Sequence, residues 1–346
     1  MNYPRPQLKR RDWTPLDGEW LINGQSGTVP ACRTEERLIY EKRFSYRKSN
    51  ERTFLHFGAA DQLAEVWLNG QYLGRHVGGY LPFCFEVTDC VREENLLRVE
   101  VTDTLDHTYP YGKQRKDRGG MWYTPVSGLW KSVWLEDVPE TFISDIRITP
   151  DLRGVTLEIT TASPEGSKTE TERIEPEEPE LWTPAHPKLY THTVKRGADE
   201  AEIYFALRTV EIGTVNGVSR VLLNGEPVFL NGVLDQGYFQ PGIFTPADSA
   251  EYGRDVLRMK ELGFNLLRKH IKLEPEEFYY ECDRLGMLVM QDMVNSGDYR
   301  FFRDTVLGTL GVPLSDRKRT SDARTDFFGR IERFFRTYSP CRNRRA

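Results

Sequence analysis

The chain has 346 residues, 38% of them apolar, enough for two or three domains that each bury a core. Its formal net charge of −5 gives no general attraction to nucleic acid or to an anionic membrane surface, and no run is long and apolar enough to span a bilayer. Neither nucleic acid nor membrane is an expected partner.

Residues 1–141 read as all-β. Leu38–Phe44, Thr53–Phe57, Ala64–Leu68, Cys84–Val87, Leu96–Val101 and Ser132–Leu135 are short β-branched or aromatic runs separated by turn signals. One of these signals, Asn69-Gly70, favours a two-residue hairpin. Such a segment closes as a jelly-roll β-sandwich. Trp20, Trp67, Trp122, Trp130 and Trp134 supply large anchors for its core, although exposed aromatic rings also stack on sugars. Residues 142–212 hold strand-like runs at Ile146–Ile148, Val155–Ile159, Leu189–Val194 and Ile203–Leu207. Between them lies the acidic, proline-rich stretch TETERIEPEEPELWTPAHP, which cannot form a core by itself. A small immunoglobulin-like β-sandwich is expected, either short of strands or with a disordered middle.

Residues 213–346 change pattern. Val228–Val233 reads as a strand. Thr245 and Asp248 have capping-box spacing with Pro246 at the first helical position, and Tyr252, Val256, Met259 and Leu262 then share one face before Gly263. Phe264–Arg268 is the next strand. A second helix opens at Pro275, buries Phe278, Cys282 and Leu285, and stops at Gly286; Met287–Met290 is a third strand. This is β-α-β-α-β, the pattern of a parallel sheet with right-handed crossovers. Polar residues follow each strand: Asp235 and Gln236, Lys269 and His270, Gln291, Asp292 and Asn295. Parallel α/β folds carry their sites there, although any one such residue can simply cap its strand.

A long loop from Asn295 to about Ser321 precedes a helix with Phe328, Ile331 and Phe335 on one face, and the sequence closes on PCRNRRA. From Arg220 onward there are about half the roughly 250 residues of a closed (β/α)8 barrel. An incomplete (β/α)8 barrel of three β/α units is expected, with an unpaired edge, an exposed apolar face and poor solubility. Arg342, Arg344 and Arg345 read as a solvated tail rather than a nucleic-acid patch.

No apolar leader opens the chain, so no signal peptide is expected. Cys32, Cys84, Cys90, Cys282 and Cys341 are odd in number and scattered, which fits buried, reduced thiols and a cytoplasmic location. The six histidines show no ligand spacing; no metal site and no cofactor are expected.

Two stretches, AEVWLNGQYLGRHVGGYLPFCFEVT (64–88) and SGLWKSVWL (127–135), resemble the sugar-binding jelly-roll domain of glycoside hydrolase family 2. That family comprises β-galactosidases, β-glucuronidases and β-mannosidases. LWTPAHPKLY and ALRTVEI are similar to its immunoglobulin-like unit, and NGEPVFLNGV, ELGFNLLRKH and CDRLGMLVMQDM to its first three barrel strands. The resemblance implies hydrolysis of O-glycosidic bonds with retention, by two carboxyl groups about 5–5.5 Å apart. In the family both are glutamates, the acid/base in an Asn-Glu pair after barrel strand 4 and the nucleophile on a later strand.

Neither has a counterpart here. The lone Asn-Glu pair, Asn50-Glu51, lies in the jelly roll. A fragment without catalytic residues, inactive alone, is therefore expected, with a non-family tail from about residue 339 of the kind a frameshift or gene fragmentation leaves. Many members have Arg-His-Glu/Asp where this chain has Leu234-Asp235-Gln236-Gly237. Their Arg and His after strand 2 are three positions apart, whereas Arg268 and His270 are two apart. Gln291-Asp292 looks like the mannosidase side of the family.

By resemblance, the substrate-binding residues are Asp235, Arg268, His270 and Asp292, with Trp122 and Tyr123 from the jelly-roll loop Lys113–Tyr123. The aspartates would accept hydrogen bonds from sugar hydroxyls, and Arg268 would orient the nucleophile or form a buried pair with Asp235 or Asp292. The intact parent would take a β-glycoside substrate. Two other readings stand beside this one. The first is a non-catalytic carbohydrate-binding module using Tyr80, Trp122 and Tyr123. The second is a half-enzyme complemented by a separate C-terminal chain through the third strand and the helix Phe327–Phe335.

Overall fold

The computed structural model describes residues 3–117, 119–297, 302–307 and 309–311. The first unit is built from β1 (Trp13–Pro15), β2 (Gly18–Ile22), β3 (Gln25–Val29), β4 (Arg37–Ser45), β5 (Arg52–Phe57), β6 (Leu63–Leu68), β7 (Gln71–Val77), β8 (Phe83–Glu86), β9 (Glu94–Thr102) and β10 (Val133–Val138). They pair antiparallel into two sheets, ordered β3-β2-β4-β9-β6-β7 and β1-β10-β5-β8. Period-two alternation creates the layer between them. Ala64, Val66 and Leu68 of β6 and Leu97, Val99 and Val101 of β9 point inward, against Leu55 and Phe57 of β5. Each such large aliphatic or aromatic side chain contributes about 1.5–3 kcal/mol by leaving water.

Asn69 and Gly70, both left-handed (φ 53° and 82°), turn β6 into β7 as expected. β10 is buried along its whole length, because the N-terminal segment and the second unit cover the outer face of its sheet. There Glu136 accepts hydrogen bonds from Tyr3 Oη (2.6 Å) and Arg10 (2.5 Å), while Arg10 also reaches Asp199 (2.7 Å). Trp20, Trp130 and Trp134 are core residues; Trp67 and Trp122 are half-buried.

The second unit pairs β11 (Phe142–Pro150), β12 (Val155–Ser163) and β13 (Gly166–Ile174) in one sheet and β14 (Tyr190–Arg196) with β15 (Asp199–Phe205) in another. Ile143, Ile146, Ile148, Val155, Leu157, Ile159, Val194, Ile203 and Phe205 fill one core between the two sheets. The expected disordered middle is corrected here, whereas the unit's five strands are fewer than the roughly seven of an immunoglobulin sandwich, the other alternative the sequence left open. Residues 169–174 of the acidic stretch continue β13, paired to β12, and Trp182 further along it is fully buried, with Nε1 donating to the Asp283 carbonyl (2.7 Å). The stretch has no core of its own but borrows its neighbours'. A third sheet of β16 (Val210–Val215), β17 (Val218–Leu223) and β18 (Glu226–Pro227), absent from the sequence reading, follows; the 212/213 boundary falls inside β16.

The last unit runs β19 (Gly232–Asp235), α1 (Ala250–Glu261), β20 (Leu266–Lys269), α2 (Glu276–Leu285), β21 (Leu288–Gln291), with the three strands parallel and in that order. Tyr252, Val256, Phe278 and Cys282 from the helices pack on Leu267, with Val233 and Val289 beside it. α2 starts at Pro275 and ends at left-handed Gly286 (φ 79°) as the sequence predicts. The capping box before α1 is a correction. The Thr245 hydroxyl donates to the Trp130 carbonyl in the jelly roll, and the helix begins at Ala250, whose N–H goes to Asp248 Oδ1 (3.0 Å). Leu262, placed on the buried face, is exposed.

Cys84 is also exposed and Cys90 half-buried, in contrast to Cys32 and Cys282, which are buried as expected. In the segment expected as a long loop, Phe302–Leu307 forms a single π-helical turn. The helix at Phe327–Phe335, Cys341 and the tail from about 339 lie outside the described residues. No helix among the described residues is long and apolar enough to cross a membrane.

Candidate functional site

Strand register decides which polar residues meet. Asp235, Lys269 and Gln291 are aligned across β19, β20 and β21. They share the parity of Val233, Leu267 and Val289, the residues packed against the helices. Asp235 accordingly turns to that side, where its Oδ2 pairs with Lys269 Nζ at 2.8 Å and its Oδ1 accepts the Gly237 N–H at 2.9 Å. Arg268 has the opposite parity and emerges on the open face with exposed Leu234 and Met290.

There the Asp292 carboxylate accepts from Arg268 Nε (3.0 and 3.1 Å) and from His270 Nδ1 (2.9 Å). Burial raises the Asp292 pKa, but the hydrogen bonds from Arg268 and His270 outweigh it and hold the carboxyl below its ordinary value. The structure thus brings Arg268, His270 and Asp292 together and sets Asp235 apart. The expected Arg268–aspartate pair forms with Asp292, but it is not buried: the Arg268 side chain is 54% exposed.

The jelly roll completes this face. Lys113 Nζ lies 3.4 Å from His270 Nε2, the Lys113 N–H donates to Asn295 Oδ1 (2.8 Å) and the Tyr111 N–H to the Asn295 carbonyl (3.0 Å). With a carboxylate on Nδ1 and an ammonium on Nε2, the surroundings suit a His270 ring that donates from Nδ1–H and accepts at Nε2. Tyr123, tied to Lys113 by a backbone hydrogen bond of 2.9 Å, sets its ring edge-on to His270 (6.2 Å) and near Tyr238 (5.5 Å). Trp122 is instead stacked under the Arg115 guanidinium at 4.2 Å. Tyr80, named among the exposed aromatics, is 2% exposed, walled in by Trp130 and Gln114, which corrects that expectation.

Beneath the strand ends lies a charged floor that sequence reasoning missed. Glu274 Oε1 sits 2.7 Å from Lys269 Nζ and 3.0 Å from Lys272 Nζ, all three buried. Burial would strip the proton from Lys269, but Glu274 and Asp235 outweigh it and hold its pKa above the ordinary lysine value. Burial pushes Lys272 down to about 8 despite its Glu274 anion, and Lys131, which donates to the Tyr80 and Glu274 carbonyls (3.0 and 3.1 Å), down to about 7. The sequence did carry one signal here: three polar residues, Lys269, Lys272 and Glu274, within six positions after a buried strand. Asn50-Glu51 lies in the turn between β4 and β5, outside the parallel β-α-β unit.

Residues 29–130 match the family model described as the glycosyl hydrolase 2 galactose-binding domain-like. The chain is a relative of glycoside hydrolase family 2. It is 28% identical over 297 residues to a β-galactosidase of Thermoanaerobacter pseudethanolicus, covering 73% of this chain and 39% of that one. It is 27% identical over 298 residues to a putative β-glucuronidase of Formosa agariphila, covering 73% and 27%. The chain thus spans about a quarter to two fifths of the length of these curated relatives. Among solved structures, a Faecalibacterium prausnitzii β-glucuronidase superposes with a TM-score of 0.70 at 24% identity, over 85% of this chain and 61% of that one. A Ruminococcus gnavus β-glucuronidase in complex with a C6-substituted uronic isofagomine gives 0.74 at 20% identity, over 98% and 73%. At these identities the superpositions speak for the fold.

Proposed function

We propose that this chain is the amino-terminal part of a retaining O-glycosidase of family 2 type, with β19, β20 and β21 as the first strands of its barrel. One observation carries the reading: the jelly-roll loop seats Lys113 and Tyr123 on the Arg268–His270–Asp292 cluster, so two separate units build one polar face at parallel strand ends. Asp292 accepts sugar hydroxyls there. Arg268, exposed and held by Asp292, orients an incoming carboxylate, and the Tyr123 ring borders the sugar. Asp235, engaged by Lys269, positions the strand end rather than touching substrate.

The catalytic glutamates implied by the family have no counterpart in these 346 residues, so this polypeptide alone binds without turning over. The remainder of the barrel would supply them. Aryl β-glucuronide, β-galactoside and β-mannoside are the substrates to test. The 346-residue chain should bind at least one of them weakly, lose that binding in Asp292→Ala, and release no aryl alcohol. Turnover that survives repurification sinks the inactivity, and binding unaffected by Asp292→Ala sinks the site.

A further inference from the structure

A second cleft, of about 400 Å³, opens where the N-terminal segment, the outer face of the β1-β10-β5-β8 sheet, β11 and the start of α2 meet. Pairing aligns Cys84, His56 and Trp134 across that outer face. His56 stacks flat on Trp134 (centroids 4.9 Å apart, planes 7°), and Phe54 packs against Phe142 (5.2 Å) to continue an aromatic wall. This wall differs from an ordinary domain junction in carrying a cation with uncommitted donors.

The Arg5 guanidinium lines the cleft, and its nearest carboxylate oxygen, Glu136 Oε2, is 3.7 Å away, outside hydrogen-bond reach. Glu136 is already engaged by Tyr3, Arg10 and Trp134. Among the described residues the Arg5 side chain finds no hydrogen-bond acceptor. Of the other charges nearby, Arg10 is committed to Glu136 and Asp199, Arg52 lies over one side of the Phe54 and Phe142 rings (5.2 and 5.1 Å) and is paired with Glu86 (2.7 Å), and Asp145 stands exposed at the rim. Burial pushes the Glu276 carboxyl up to about 7 and keeps His56 neutral, down to about 4.

A cleft of this size with rigid aromatic walls and a directional cation among its few polar groups has the anatomy of a small-ligand site. The planar fork of an arginine selects a planar, bidentate acceptor. We propose that this cleft binds a small aromatic carboxylic acid, its ring on the Phe54–Phe142–Trp134 wall and its carboxylate on the Arg5 guanidinium. The site is separate from the strand-end face and stands whether or not the glycosidase reading does.

Cys84, exposed in the same cleft, is a built-in reporter. The test measures its alkylation by N-ethylmaleimide in the 346-residue chain, resolved from the other thiols by peptide mass mapping, with 2-naphthoate as the probe. Saturable protection of Cys84 is expected, with a midpoint at least about tenfold higher for Arg5→Gln, since a charge-assisted pair is lost. Arg5→Lys, which keeps the charge but not the fork, should fall between. Buried Cys32 and Cys282 report folding: if they become reactive in Arg5→Gln, the comparison rests on Arg5→Lys. Absence of protection, equal protection in the folded variant, or equal protection by uncharged 2-naphthalenemethanol would each overturn the proposal.

Discussion

Glu274→Gln tests how far the strand ends depend on the buried charges below them. Glu274 is fully buried between Lys269 (2.7 Å) and Lys272 (3.0 Å). The amide keeps the shape and removes the anion. Lys269 keeps Asp235 at 2.8 Å, but Lys272 is left with the Gly237 and Phe244 carbonyls (2.5 and 2.7 Å) and no negative partner. Breaking a buried pair on one side costs about 3–5 kcal/mol. Lys272 limits its own share, because burial already lowers its pKa to about 8 and loss of Glu274 lowers it further, so it sheds its proton near neutrality. A loss of about 3 kcal/mol at pH 7 is therefore expected, read as a shifted urea midpoint. Lys272→Met removes the partner, and the double variant should recover more than about 1 kcal/mol of the summed single losses. Additivity within about 0.5 kcal/mol would show that the two side chains are not coupled, and the charged floor would lose its assigned role.

Trp182→Phe removes the indole hydrogen bond to the Asp283 carbonyl and most of the stacking under Arg208 (4.4 Å), and should cost about 1–3 kcal/mol in thermal or urea unfolding. A neutral result would mean the second unit is not pinned to α2 through this residue. Stability should also pass through a minimum near pH 7–8. Glu276 and Glu277, raised by burial to about 7 and about 8, hold protons that the unfolded chain has lost, so stability falls from pH ~4.5 through those values. Lys131 and Lys272, lowered to about 7 and about 8, have lost protons that the unfolded chain keeps, so stability recovers toward pH ~10. Urea midpoints from pH 5 to 10 check this, and Glu277→Gln should flatten the acidic limb. Asp292→Asn should cost under about 1 kcal/mol, because its arginine partner is exposed. It should still alter the His270 nitrogen shifts by weakening the hold on Nδ1–H; unchanged shifts would mean Asp292 does not hold that proton.

The strands found from sequence were those with apolar alternation long enough to see, such as β4, β6 and β9. Those missed were short or polar, β2 and β3 among them, yet three of the missed turns carried the same signal as Asn69-Gly70. Asn23-Gly24 joins β2 to β3, Asn216-Gly217 joins β16 to β17, and Asn224-Gly225 joins β17 to β18, every one of these residues with positive φ. The information was local and legible. The acidic stretch was a different case, since its composition says it cannot make a core but not that Trp182 will be buried in another's. The misplaced start of α1 follows the same logic: Thr245 has the chemistry of a cap, but a carbonyl 115 residues away in the chain, on Trp130, engages it first.

At the site, what could be read depended on separation along the chain. His270 and Asp292 were nameable because residues that follow parallel strands fall into one layer, whereas Arg268, inside β20, was named through the family resemblance alone. Asp235 was named by the same rule and then set apart by one step of parity: Lys269, buried and needing an anion, faces the same side and engages it first. Lys113 and Asn295 were not legible as a pair. They lie 182 positions apart, one in a loop with no periodicity and the other past the last strand, and only the packing of jelly roll against strand ends makes them neighbours. That contact gives the proposed function its physical content. If Asn295→Ala, which removes the Oδ1 acceptor of the Lys113 N–H, weakens glycoside binding as much as Asp292→Ala does, the jelly-roll loop is part of the binding surface. If it leaves binding unchanged, the loop only props the strand ends, and the site belongs to the α/β unit alone.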